Sequence, residues 1–135
     1  MLNEECLAFI WQYQQLPPAL LQTTEGYAIK VLKTGIHNSD AGPDFTGARL
    51  LIDGIEWVGS IELHVKSSDW LLHQHQTDVA YESVILHVVW ENDQTMLNGA
   101  GGMIPTLEVK DRVPISLWDT YAHFMNNQQV IACAT

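Results

Sequence analysis

Cysteine is nearly absent. Only Cys6 and Cys133 occur, near opposite ends and outside any CxxC spacing, which argues against a disulfide framework or a thiolate zinc site and points to reduced thiols. Positive charge is also scarce: 6 Lys and Arg stand against 16 Asp and Glu, a formal net charge of -10, the wrong balance for nonspecific attraction to a polyanion. A nucleic-acid role would need a local basic strip, metal neutralisation of acidic groups, or further chain. Long apolar runs are missing as well, none approaching the ~20 residues of a membrane span. The start, Met1-Leu2-Asn3-Glu4-Glu5, lacks the basic region of a signal peptide. A cytoplasmic protein with no membrane partner is expected. There is no internal repeat and no low-complexity tract.

What is present suits one folded domain. The 135 residues are 47% hydrophobic, with five Trp spread along the chain, enough for a core despite the charge. Asn3 is placed to cap a helix whose first turn carries Glu4 and Glu5, with Leu7, Ile10, Trp11 and Gln14 at helical spacing and Pro17-Pro18 as the stop. Tyr27 to Thr34 reads as a strand, followed by a polar loop from Gly35 to Pro43. Ala48 to Ile52 and Ile55 to Val65 flank Asp53-Gly54, the dipeptide of a tight hairpin. Ser67, Ser68 and Asp69 offer a cap for one or two helical turns between Trp70 and Tyr81. The unbroken apolar run from Val84 to Trp90 suits a central strand covered on both faces. Asn98 to Gly102 is a turn, Ile104 to Lys110 a further strand, and Pro114 to Met125 a closing helix. The expected fold class is α/β (α+β), a mixed central sheet flanked by helices.

Along Ser60 to Lys66 the side chains alternate, so Ile61, Leu63 and Val65 should enter the core while Glu62, His64 and Lys66 share the other face about 7 Å apart. The hairpin register can bring Asp44 close to this row. Two carboxylates ~4 Å apart repel by about 4 kcal/mol at an effective dielectric of 20. Relief must come from protonation, from Lys66 or Arg49, or from a hard divalent metal, and the metal is the relief that also makes a catalyst. The plainer alternative is a solvated face of an amphipathic strand.

Pro43-Asp44, eighteen residues to Glu62, then Glu62-x-His64, laid on helix, three strands, crossover and strand, resembles the PD-(D/E)xK nuclease superfamily across roughly residues 3 to 91. The resemblance implies a restriction-endonuclease-like α-β-β-β-α-β core and magnesium- or manganese-dependent phosphodiester hydrolysis. It implies Asp44 and Glu62 as metal ligands, the Leu63 carbonyl as another, and Glu4 or Glu5 as a further carboxylate. His64 stands where the pattern has lysine. It could orient water or act as base, bind metal, or mark a lost activity, and Lys66 could supply the missing charge.

The segments Asn38 to Phe45, Gly59 to His64, Ser68-Asp69-Trp70, His73-x-His75-x-x-Asp78 and Tyr81 to Val89 are more closely similar to a bacterial family, domain-of-unknown-function family 2851. That family brings no established activity. Its longer members imply that residues 1 to 135 form a single domain at the N-terminal end of a longer protein, whose last residues, Asn126 to Thr135, would pack poorly alone.

Four of the six histidines, His64, His73, His75 and His87, fall within 24 residues. With Asp69 and Asp78 nearby, His73 and His75 could hold zinc or manganese, zinc being the lesser expectation, while His87 in mid-strand reads as a structural histidine. The leading expectation is a metal-dependent nuclease acting through Asp44, Glu62, His64 and Lys66. The alternatives are a non-catalytic binding or structural module, and a metal-dependent hydrolase of another ester using His73, His75 and Asp78.

Overall fold

The computed structural model describes residues 3–112. The helix expected at Pro114 to Met125 and the tail from Asn126 lie outside the described residues.

Helix α1, Glu4–Gln12, starts as its sequence directs. The Asn3 side chain accepts the Cys6 N–H, and Glu4 and Glu5 sit at the positive end of the helix. It stops before Pro17-Pro18, because Gln14 takes a left-handed conformation (φ 48). The Gln14 and Gln15 N–H groups then bond back to the carbonyls of Trp11 and Ile10, a cap that local hydrogen bonding supplies without proline. Cys6 is fully buried and disulfide-bonded, which corrects the expectation of reduced thiols.

Among the described residues six strands form one mixed sheet: β1 (Ile29–Lys33), β2 (Ile36–His37), β3 (Phe45–Ile52), β4 (Ile55–Lys66), β5 (Val84–Glu91) and β6 (Thr106–Glu108). Their order is β1-β3-β4-β5-β6, with β2 also on β3. The pairs from β1 to β4 are antiparallel, while β4–β5 and β5–β6 are parallel. The α+β expectation holds. Asp53 and Gly54 both have positive φ (53 and 77), the type I′ geometry that matches strand twist, and Ile52 pairs Ile55 across the turn.

A parallel β4–β5 pair needs a crossover, and the chain supplies a compact one: α2 (Asp69–Leu72) followed by 3-10 turns at His75–Thr77 and Val79–Tyr81. Its mouth is tied by Asp93, which accepts from the Ser68 N–H and from the Ser67 and Ser68 hydroxyls. Burial opposes ionisation of Asp93, but these donors win and lower its pKa to about 2.

Apolar residues of α1 (Leu7, Phe9, Ile10, Trp11) pack on Phe45, Leu50, Ile61, Leu63, Leu86 and Val88, the main core. A smaller cluster of Trp70, Met96 and Ile104, joined by Tyr81 and Val84, lies under the crossover. Among the described residues no helix is long and apolar enough to cross a membrane.

Candidate functional site

Asp44 is the last residue before β3, presented by a loop that Asn38 shapes. The Asn38 amide donates to the Ala41 and Pro43 carbonyls and its oxygen accepts the Asp40 N–H. A bulge between Phe45 and Ala48, with Gly47 at φ 72, lets β3 pair Phe45 with Ile61, so Asp44 falls beside Glu62 and Leu63 of β4. The Asp44 N–H donates to Glu62 Oε1 (3.2 Å) and Asp44 Oδ2 accepts the Leu63 N–H (2.8 Å). N–H and C=O of one strand residue project to the same edge, so the Leu63 carbonyl faces this side too.

The expected row of Glu62, His64 and Lys66 is only partly as read. The alternation holds, but the second face is covered by the crossover. Glu62 is 4% and His64 1% exposed, and Lys66 alone is exposed. This corrects the reading of a solvated strand face. The Lys66 side chain makes no ion pair with either carboxylate among the described residues, and Arg49 is bound to Glu56 (2.6 Å) at the far end of the hairpin. Neither cation relieves the Asp44–Glu62 pair. Burial, then the hydrogen bond and charge of Asp44, push the Glu62 carboxyl up to about 10.

The crossover brings His73 and His75 down onto Glu62, beside His64 of β4 and His87 of β5. His64 Nδ1 lies 2.7 Å from His87 Nε2, and His64 Nε2 lies 3.2 Å from His73 Nδ1. Glu62 Oε2 approaches His75 Nε2 at 2.7 Å and His64 Nε2 at 3.5 Å. These are not ion pairs. Burial, then neighbouring histidines, hold His64 down at about 2, His75 at about 4 and His87 at about 3, so the rings are neutral beside a protonated Glu62. Nor is the His75 contact a hydrogen bond: despite its short distance, both His75 ring nitrogens lack a partner of proper geometry. Tyr81 stacks on the His75 ring (centroids 3.6 Å, 14°) and Trp70 meets it edge-on at 5.2 Å, so the ring is walled in place. Burial, then the charges of Glu62 and Asp44, raise the Tyr81 hydroxyl to about 12.

Of the other expected ligands, Glu4 faces the site. Its side chain is exposed, yet partial shielding, then repulsion from Asp44, raise its pKa, with His73 opposing and Asp69 adding. Glu5 points to solvent. Asp78 caps the turn at Val79–Tyr81 by accepting the Ala80 N–H, and its place in the metal-capable group with His73 and His75 is taken by His64. Tyr81 and Trp70 join the site without a sequence expectation for them. His87, expected to be structural, becomes a partner of His64 through the parallel register, which pairs it with Glu62. Its position in the middle of the Val84 to Trp90 apolar run was the available signal.

The chain is thus an α+β domain whose sheet sets buried Glu62 and half-buried Asp44 against four histidines. A family model described as a protein of unknown function, DUF2851, matches residues 4–135, and the chain belongs to this family. No curated protein and no solved structure matches it.

Proposed function

We propose that this domain is a divalent-metal-dependent phosphodiesterase of the restriction-endonuclease type, acting on nucleic acid through Asp44 and Glu62. The observation that carries the reading is the carboxylate pair itself. Two acidic side chains, one before β3 and one within β4, are fixed in contact, and among the described residues no cationic side chain lies between them. The order of α1, three antiparallel strands, crossover and parallel β5 supports it, since that is the arrangement the PD-(D/E)xK resemblance implies.

The donor set of two carboxylates and the Leu63 carbonyl fits a hard cation such as magnesium or manganese, with Glu4 placed to contribute from the helix start. When bound, the ion supplies Lewis-acid stabilisation of charge developing on a phosphoryl group. The chain's own part is to hold the carboxylates rigidly: Leu63 N–H fixes Asp44, and the Asp44 N–H fixes Glu62. His64, buried between His73 and His87, suits a ligand or positioning role better than that of a base facing solvent. Exposed Lys66 at the strand end is free to meet a phosphate.

The test is cleavage of single- and double-stranded DNA and RNA with millimolar magnesium or manganese. Wild type should cut at least one of them, and Asp44→Asn and Glu62→Gln should each lower the rate at least a hundredfold while remaining folded. A folded wild type that cuts none would overturn the reading. It would leave the second one, a non-catalytic binding module, which the net charge of -10 and the histidine in the lysine position favour.

A further inference from the structure

We propose that His64, His73 and His75, closed by the second carboxyl oxygen of Glu62, form a site for a borderline divalent cation such as zinc or cobalt, beside the position held by Asp44. The histidine site stands on its own geometry, while its corollary, Glu62 bridging two metal positions, rests on the reading proposed above.

Donor spacing is the first argument. One ligand nitrogen from each of the three histidines lies within 4.8 Å of the others. Metal–nitrogen bonds of ~2.0 to 2.1 Å in a tetrahedron put donors roughly 3.3 Å apart. His64 Nε2 is 3.2 Å from His73 Nδ1 and 3.5 Å from Glu62 Oε2, close to that spacing, and the 2.7 Å between His75 Nε2 and Glu62 Oε2 needs only a small opening.

The second argument is an accounting of buried polar atoms. A histidine-to-histidine hydrogen-bond relay accounts for His64 and leaves both nitrogens of His75 without a partner, in a ring only 7% exposed and aimed at Glu62. A cation at this point satisfies His75 Nε2 and the Glu62 oxygen together.

The supporting residues match what a metal-binding imidazole requires. With the His64 proton on Nδ1 and donated to His87 Nε2 at 2.7 Å, the Nε2 lone pair is left facing the cluster. Tyr81 and Trp70 hold the His75 ring from two sides. His73, exposed at the rim, gives an ion access from solvent. Nitrogen donors with one carboxylate select zinc or cobalt over magnesium, whereas the Asp44 side of Glu62 offers only oxygen. The two oxygens of Glu62 therefore face two chemically different positions, Oε1 toward Asp44 and Oε2 toward the histidines.

The test uses protein freed of metal, titrated with cobalt(II) and zinc. The proposal expects one saturable equivalent and the intense visible absorption of four-coordinate cobalt, displaced by zinc. His73→Ala, which removes an exposed ring and should fold, is expected to weaken zinc binding at least tenfold and to change the cobalt spectrum. Asp44→Asn should leave the cobalt spectrum intact while abolishing the magnesium- or manganese-induced rise in melting temperature. Only the weak spectrum of six-coordinate cobalt, or zinc affinity unchanged in His73→Ala, would overturn the histidine site. Loss of the cobalt spectrum in Asp44→Asn would overturn it too, by placing one site on the carboxylates. Cobalt bound as expected in a protein that cuts no nucleic acid would support this site and count only against the phosphodiesterase reading.

Discussion

Glu62 is held between two environments, and its stability cost follows from that. At pH 7 its carboxyl is protonated in the folded chain, with a pKa near 10 against an ordinary 4.5. Protonating a carboxyl of that ordinary value at pH 7 costs about 3 kcal/mol. Glu62→Gln, which stays neutral without that cost, should therefore raise the metal-free melting temperature by several degrees. It should also abolish stabilisation by magnesium or manganese, which for wild type amounts to about 2.7 kcal/mol at 100 times the dissociation constant. Differential scanning calorimetry with and without metal reads both effects. A lower metal-free melting temperature in the variant would mean that the carboxyl is not strained.

At the scale of elements, the site depends on one close approach of backbone segments and on one loop shaped by side-chain hydrogen bonds. Gly59 lies where β4 meets the end of the crossover, and a Cβ there would stand 2.4 Å from the Ser83 carbonyl oxygen and 2.6 Å from the Ile85 Cγ2. Gly59→Ala must push β4 and β5 apart and should cost roughly 1 to 3 kcal/mol in urea denaturation. Asn38→Ala should behave differently. Losing the side-chain bonds that shape the Asp44 loop costs about 1 kcal/mol each at most, since the loop is partly solvated, and the larger effect should be a weaker magnesium affinity measured by calorimetry.

The same elements show what was legible in the sequence. The hairpin was, because Asp53-Gly54 is a local signal whose geometry depends on nothing distant. The neighbourhood of Asp44 and Glu62 was in part, because the turn sets the hairpin register, while the bulge between Phe45 and Ala48 then shifts it by one residue. The burial of Glu62 and His64 was not, because alternation reports two faces and says nothing about whether a later segment covers the polar one. That cover comes from Trp70, His75 and Tyr81, whose packing needs the parallel β4–β5 register, a non-local fact. Asp78 shows a different limit: its carboxylate accepts from its own backbone two residues on, a local use that residue type and spacing do not separate from ligation.

For the whole molecule, the buried ionisable cluster sets the pH dependence of metal-free stability. Glu62 has a raised folded pKa, so its contribution is intact below about 4.5 and is lost as pH rises toward 10. His64, His75 and His87 have depressed folded values, so theirs is intact above about 6.5 and is lost as pH falls through the range from 6.5 toward 4 and below. Below 6.5 three histidines outweigh one carboxyl, and above 6.5 Glu62 acts alone. The melting temperature of the metal-free protein should therefore peak near pH 6.5 and fall on both sides. The gain from added manganese should grow between pH 5 and 8, because its ligands must be deprotonated. Thermal melts in chelator across pH 4 to 9 check this, and a flat profile from pH 6.5 to 9 would show that Glu62 is ionised without metal.

The central claim, that Asp44 and Glu62 are brought together to hold a cation, is tested most directly by anomalous scattering from a crystal soaked in millimolar manganese. The account predicts a manganese peak about 2.0 to 2.4 Å from a carboxylate oxygen of each residue, beside the Leu63 carbonyl. A clean map with no peak there, and the two carboxyls still in contact with each other, would contradict it.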